Sequence, residues 1–68
     1  MVLVNKIQLG DLTGSLYRLN NGYYSYKIRR KGTIIGGSIV WLSGFEASTN
    51  RIRKELETLS NQLNLLEG

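Results

Sequence analysis

The chain divides into two parts that differ in the spacing of their hydrophobic residues. From Val2 to Leu42 apolar and polar positions tend to alternate between glycine-containing breaks, which is typical of β-strands joined by tight turns. After Gly44 the apolar residues recur in steps of three and four, which predicts an amphipathic helix. We therefore predict one α+β domain over residues 1–68, an antiparallel meander of three to four strands followed by one long C-terminal helix packed on one sheet face. The predicted strands are 2–9, 15–20, 23–30 and 33–42, and the predicted helix is 45–66.

Two short turns set the expected register of the meander. Asn21-Gly22 lies between two alternating runs and is a strong signal for a two-residue hairpin turn, and Lys31-Gly32 is a second candidate of the same kind. With two-residue turns at both places, adjacent strands present their side chains to common faces. The expected apolar face holds Tyr17, Leu19, Tyr24, Tyr26, Ile28, Ile35, Ile39 and Trp41. The expected outer face holds Leu16, Arg18, Tyr23, Ser25, Lys27, Arg29, Ile34, Ser38, Val40 and Leu42.

The helix is expected to cover the apolar face with a narrow stripe. Ser43 and Glu46 have the spacing of a capping box at its start. The stripe consists of Phe45, Ile52, Leu56, Leu59, Leu63 and Leu66, with Thr49 in the one position that lacks an apolar residue. Its C-terminal part can extend beyond the sheet, and exposed leucines there would favour a partner helix. We therefore expect self-association, as a homodimer or another homo-oligomer, through Leu59, Leu63 and Leu66. The alternative is a sheet broad enough to cover them.

The residue inventory argues against an enzyme. The chain contains neither histidine nor cysteine, so the usual nucleophile pairs and zinc ligands are missing. Four of its five acidic residues are glutamates in or directly after the predicted helix, where they are typical of solvated helix charges, and the glycines do not form a phosphate-binding loop. We predict no catalytic residues, no metal site and no cofactor. The N-terminus does not resemble a signal peptide and no apolar run could span a membrane, so a cytoplasmic protein without membrane contact is expected.

The positive charge is concentrated in the strand-forming part. Residues 1–44 hold six Lys or Arg against Asp11 alone, and the formal net charge of the whole chain is +4. Cations on a sheet face or hairpin tip, with an aromatic residue among them, can contact nucleic-acid phosphates and bases. Such charges also keep strands soluble and block edge pairing, so this alternative stays open. The candidate nucleic-acid-binding residues are Arg18, Tyr23, Lys27, Arg29, Arg30 and Lys31.

Part of the chain resembles a known DNA-binding family. The segments GYYSYKIRRKG at 22–32 and SGFEA at 43–47, the second opening a helix, resemble the N-terminal arm-binding domain of phage-type tyrosine integrases. That resemblance implies a three-stranded sheet backed by a helix, with the sheet entering the major groove of DNA. It implies DNA contacts for Lys27, Arg29, Arg30 and Lys31. The chain departs from the family pattern in two places: the apolar stretch GGSIVWL is longer, and the helix start lacks the family's usual threonine-lysine pair.

These observations favour a small non-enzymatic nucleic-acid-binding module that uses a basic sheet face and hairpin tip, with duplex DNA as the expected partner. The alternative is a protein-interaction or assembly subunit that self-associates through its C-terminal helix and apolar outer sheet residues. Leu16, Ile34, Val40 and Leu42 fall on the expected outer face, and a wholly solvated face would not be expected to carry them. Either the N-terminal segment VLVNKIQL folds over that side to make a small barrel, or a second subunit or another protein covers it, as this alternative implies.

Overall fold

A computed structural model describes residues 1–42 and 44–67, with side chains described for residues 1–38 and 44–66. Four strands form one antiparallel sheet in the order β1-β2-β3-β4, and one C-terminal helix packs on it. The predicted α+β meander with a C-terminal helix is thereby confirmed. The elements are β1 (Val2–Leu9), β2 (Leu12–Arg18), β3 (Tyr24–Arg30), β4 (Thr33–Leu42) and α1 (Phe45–Glu67).

The first hairpin is tighter than the sequence suggested. Leu9 pairs directly with Leu12, so the connection consists of Gly10 and Asp11 alone. Gly10 has a φ of 61°, the left-handed conformation that a glycine adopts readily at the first position of a type II′ turn. β2 therefore begins at Leu12, three residues before the predicted start at position 15.

The second hairpin differs from the prediction by one residue of register. The Gly22 N–H donates to the Leu19 carbonyl (3.0 Å), and the Leu19 N–H donates to the Tyr23 carbonyl (2.7 Å), which encloses a three-residue loop. Gly22 has a φ of 87°, as expected where a type I turn is followed by a left-handed residue. Leu16 therefore pairs with Tyr26 in place of the predicted Tyr17, and every β2 side chain moves to the face opposite the predicted one.

The third hairpin has the predicted two-residue turn. Arg30 pairs with Thr33 across Lys31 (φ 51°) and Gly32 (φ 85°), both in the left-handed region that a type I′ turn requires. Arg29 pairs with Ile34 as expected, but the register then shifts and Ile28 pairs with Gly36. Ile35 is the extra residue of this bulge and is 38% exposed, so its predicted place on the apolar face was wrong.

The core lies between α1 and the three strands β1 to β3. Its buried side chains are Leu12, Leu16, Tyr26, Ile28, Ile52 and Leu56, with Val4, Ile7, Tyr24, Leu59 and Leu63 packed against them. Leu16 was expected on the outer face and is fully buried, because the three-residue loop exchanged its position with that of Tyr17. Leu19 and Tyr24, expected on the apolar face, are both partly buried.

The helix packs closely because the sheet carries a glycine beneath it. A Cβ on Gly14 would overlap the Cγ2 methyl of Ile52, so the absent side chain lets α1 approach β2. Thr49 is buried in the stripe, in the position that the heptad spacing assigned to it. Near the helix start the rings of Tyr24 and Phe45 meet edge to face, with centroids 6.1 Å apart. The expected placements of the Ile39, Val40, Trp41 and Leu42 side chains, and the Ser43 cap, lie outside the described residues.

Candidate nucleic-acid interface

The sheet surface opposite the helix is formed by cross-strand rows of mainly polar side chains. Lys6, Ser15 and Lys27 are directly opposite one another on β1, β2 and β3, and the neighbouring row places Thr13 beside Arg29. We call this surface the outer face and define it by Lys6, Gln8, Thr13, Ser15, Tyr17, Ser25, Lys27, Arg29 and Ile34. Two strand spacings separate Lys6 from Lys27, so these two backbone positions are ~10 Å apart.

Tyr17 joins the two β3 cations of the outer face. Arg29 Nη1 donates to Tyr17 Oη at 3.5 Å, and Lys27 Nζ lies 5.7 Å from the centroid of the Tyr17 ring, within cation–π range. The hydrogen bond from Arg29 lowers the pKa of the Tyr17 phenol, with further lowering by the Ser15 hydroxyl and the charge of Lys27. Tyr17 therefore keeps both cationic groups on one patch of surface. Ser15 beneath them is only 3% exposed.

No negative charge neutralises this patch from within the sheet. The sequences of the four strands contain five Lys or Arg residues and no Asp or Glu. Asp11 lies in the first turn, and the glutamates belong to α1 on the other side of the sheet. All charged side chains of the outer face are therefore positive, and its other side chains are neutral.

The structure brings together two of the six predicted binding residues. Lys27 and Arg29 share the outer face as expected, with Ser25 on the same side of β3. Tyr23 directly precedes β3 and is 42% exposed, and Lys31 is exposed in the third turn. The predicted outer-face group is therefore incomplete, because Arg18 does not share this face. Arg30 and Lys31 were expected at the hairpin tip, and they lie at and within the third turn.

Arg18 and Arg30 belong to the helix-facing side of the sheet. Arg18 pairs with Tyr24, and Arg30 pairs with Leu12, whose side chain is in the core. The predicted outer-face position of Arg18 was wrong, because the second hairpin has one more loop residue than expected. The Arg30 side chain also donates from Nε to Asp11 Oδ2 at 2.9 Å, and this hydrogen bond lowers the pKa of the Asp11 carboxyl.

The sequence analysis did not find Lys6 and Tyr17. Lys6 extends the basic row onto β1, where the alternation of VNKIQL, together with a turn at Gly10, could have placed it opposite the second strand. Tyr17 was assigned to the apolar face through the incorrect register. Only the hydrogen bonds of the loop distinguish a two-residue from a three-residue turn at Asn21-Gly22, so the sequence held no comparable signal for Tyr17.

Glu55 is not the ordinary solvated helix charge that was expected. Its Oε1 accepts a hydrogen bond from Tyr26 Oη at 2.7 Å, and its Oε2 accepts one from the Gly37 N–H at 3.1 Å. Burial raises the pKa of the Tyr26 phenol, and the hydrogen bond to Glu55 raises it further. Glu55 thus connects α1 to β4 and belongs to the architecture of the fold.

The three predicted self-association leucines do not form one exposed stripe. Leu59 and Leu63 are partly buried and pack against the core, so the expectation that Leu63 extends beyond the sheet was wrong. Leu66 is 83% exposed, and its neighbour Leu65 is 85% exposed. Among the described helix residues, the last turn of α1 therefore offers exposed leucines of the kind that the sequence suggested.

Comparisons with known proteins supply no assignment for this surface. No family model matches the chain, and no curated protein or solved structure was found to match it. Within residues 1–42 and 44–67, no group of three or more acidic side chains is arranged to hold a metal ion. Over the same residues, no helix combines the length and apolar character needed to cross a membrane.

Proposed function

We propose that this protein is a non-enzymatic nucleic-acid-binding module whose outer face contacts the phosphates of duplex DNA. The observation that supports this most is the grouping of Lys27 and Arg29 around Tyr17, with Lys6 in an adjoining row, on strands without acidic residues. Cations that neutralise phosphates release counterions, and this is the main sequence-independent source of affinity for DNA.

Phosphate contact fits the outer face better than base stacking does. The Tyr17 ring already contacts the Lys27 ammonium group, and its hydroxyl accepts from Arg29. A stacking residue must offer a free ring face to an unpaired base. Tyr17 is engaged with two cations and is suited to orienting them toward phosphate oxygens. A twisted antiparallel sheet can also enter the major groove of duplex DNA, as the integrase resemblance implies.

The test is a gel-shift titration of a duplex DNA across salt concentrations. Replacing both Lys27→Ala and Arg29→Ala should reduce the magnitude of the slope of log affinity against log salt by about 1.8, since each phosphate contact contributes about 0.9. The matched control is Arg18→Ala with Lys54→Ala, which removes two positive charges away from the outer face. If the slope of log affinity against log salt falls equally in both variants, the loss reflects net charge alone, and the proposed interface is overturned.

A protein-assembly subunit is the second candidate, and the exposure of Leu65 and Leu66 favours it. In that case Leu65→Ser with Leu66→Ser should convert a defined oligomer to monomer in light scattering, and duplex DNA should leave the wild-type scattering unchanged. A DNA-dependent rise in mass that persists in this variant would reject the assembly candidate.

A further inference from the structure

The first strand presents an unpaired edge. Within the described residues β1 pairs with β2 alone and forms one border of the sheet. In an antiparallel ladder, alternate residues point their backbone N–H and C=O groups away from the neighbouring strand. The Lys6 N–H is donated to the Asn5 side chain (Oδ1, 2.9 Å), so Lys6 and, two residues further, Gln8 are the residues whose backbone groups point outward.

The two edges of the sheet differ in how well they are protected. β4 contains two register irregularities, and its Gly37 N–H is donated to Glu55 of α1, which ties part of this edge to the helix. On β1 the Lys6 N–H is donated only to the side chain of the adjacent Asn5, an exposed contact that a second strand can replace. From Asn5 to Leu9, β1 is regular, and its only charged residue is Lys6. Val2, Leu3 and Leu9 on this strand are 53%, 46% and 39% exposed. Leu9 belongs to the regular stretch, whereas Val2 and Leu3 precede the register shift between Leu3 and Asn5. A regular edge with a single charged residue and outward-pointing backbone groups is a template for strand pairing, provided that the register does not place two lysines opposite each other.

We infer that two copies of this chain pair antiparallel through their β1 strands, about a two-fold axis at Ile7. Lys6 of each copy then lies opposite Gln8 of the other, and the two four-stranded sheets become one continuous eight-stranded sheet. The dimer itself does not depend on the proposed DNA binding.

The register follows from charge and from the direction of the backbone groups. Lys6 and Gln8 must face outward-pointing residues of the second strand to form hydrogen bonds. An axis at Lys6 would place two lysines directly opposite each other, which is destabilising. An axis at Gln8 would place Lys6 opposite Gly10, beyond the end of the strand. An axis at Ile7 avoids both problems and joins the two isoleucine side chains on the helix-facing side.

Charges on the helix complement each other across the same axis. A pocket of about 110 Å³ beside β1 is lined by Ile7, Gln8, Leu9, Arg53, Leu56 and Glu57. Arg53 and Glu57 are exposed and lie one helical turn apart. Since α1 packs over Gly14 of β2, the helices of two copies would run antiparallel, about three strand spacings or ~14 Å apart. Arg53 of each copy then faces Glu57 of the other, at a separation that long side chains can bridge.

The dimer would also extend the outer face. Lys6 of both copies would lie near the centre of the eight-stranded sheet, and Lys27 and Arg29 of each copy would flank it. This consequence rests on the proposed function, because only an anionic partner would make use of a doubled basic surface.

A reciprocal charge test addresses the pairing directly, with full chains and without DNA. Arg53→Glu and Glu57→Arg should each raise the dimer dissociation constant by about tenfold or more in sedimentation equilibrium, because like charges then face each other. Mixing the two variants restores opposite charges at both contacts and should produce a heterodimer that native mass measurement resolves. Wild-type chain that stays monomeric at millimolar concentration, or variants that do not associate when mixed, would overturn the inference.

Cross-linking tests the register, since the chain has no cysteine of its own. Ile7→Cys places two thiols at the axis and should form a covalent dimer on mild oxidation. Leu9→Cys is the matched control and should not form a covalent dimer, because the two Leu9 positions are ~13 Å apart in this register.

Gln8→Pro removes an outward N–H without affecting the β1–β2 ladder and should give a folded monomer by circular dichroism and sedimentation. Cross-linking at Leu9 in place of Ile7, or a dimer that persists in Gln8→Pro, would exclude this arrangement.

Discussion

Single residues on the helix help to hold it to the sheet, and Glu55 does so through hydrogen bonds to both β3 and β4. Glu55→Ala leaves the buried Tyr26 hydroxyl and the Gly37 N–H without their acceptor. We expect the free energy of unfolding to fall by about 1–3 kcal/mol, the usual range for an unsatisfied buried polar group. Urea unfolding measures this change in the free energy of unfolding. Glu55→Gln keeps one acceptor oxygen, so its free energy of unfolding should lie between those of the wild type and Glu55→Ala. A midpoint unchanged in Glu55→Ala would mean that water replaces the carboxylate without loss.

The two tyrosines with shifted pKa values should affect alkaline stability in opposite directions. Burial, followed by the Glu55 hydrogen bond, raises the pKa of Tyr26, so the folded state favours the neutral phenol. Its contribution is full below about pH 10 and is lost as the pH rises further, because the unfolded chain ionises first. The Arg29 hydrogen bond lowers the pKa of Tyr17, so ionisation favours the folded state there.

Urea unfolding at a series of pH values from about 8 to 11 separates these contributions. Tyr26→Phe should flatten the loss of stability with rising pH, and Tyr17→Phe should make it steeper. Identical pH profiles for wild type and both variants would contradict the assigned environments.

Among the elements, turns were the least certain part of the sequence prediction, and the reason is physical. Lys31-Gly32 forms the predicted type I′ turn because both residues adopt positive φ. At Asn21-Gly22 only the glycine does so, and the loop takes in one further residue. Asn-Gly suits either geometry, so the sequence alone could not choose between them. One residue of slip was enough to exchange Leu16 and Tyr17 between the core and the outer face.

The packing of α1 on β2 depends on the missing side chain at Gly14. In Gly14→Ala the new methyl group would overlap Ile52, so the helix must move or strain must remain. We expect a loss of about 1–3 kcal/mol, the range for overpacked cores. Ile52→Ala alone creates a cavity, but in the double variant the smaller side chain makes room for the added methyl. Urea unfolding should therefore show less destabilisation in the double variant than the sum of the two single ones. Strict additivity would argue against close contact at this point.

At the scale of the whole molecule, the sequence revealed the charge asymmetry but not its final distribution. The excess of Lys and Arg in residues 1–44 was plain, and Lys27 and Arg29 were correctly placed together. The ion pair of Arg30 with Asp11 was not foreseen, and it forms because the tight first turn brings the single acid of that segment beside the end of β3. Such pairing depends on strand register across the whole sheet. Local sequence patterns predict that register only if the type of every turn is correctly assigned.

The proposed dimer and the proposed DNA contact predict a joint result. If both copies contact one duplex, wild-type protein engages about twice as many phosphates as a monomer, and the slope of log affinity against log salt is about twice as steep. Gln8→Pro keeps Lys6, Lys27 and Arg29 but removes the pairing edge, so its slope should be about half that of wild type. The comparison requires protein concentrations above the wild-type dimer dissociation constant, with Gln8→Pro shown to be monomeric there. Equal slopes would mean that a single outer face is the complete binding unit, and a variant without any affinity would mean that the two faces act only as a pair.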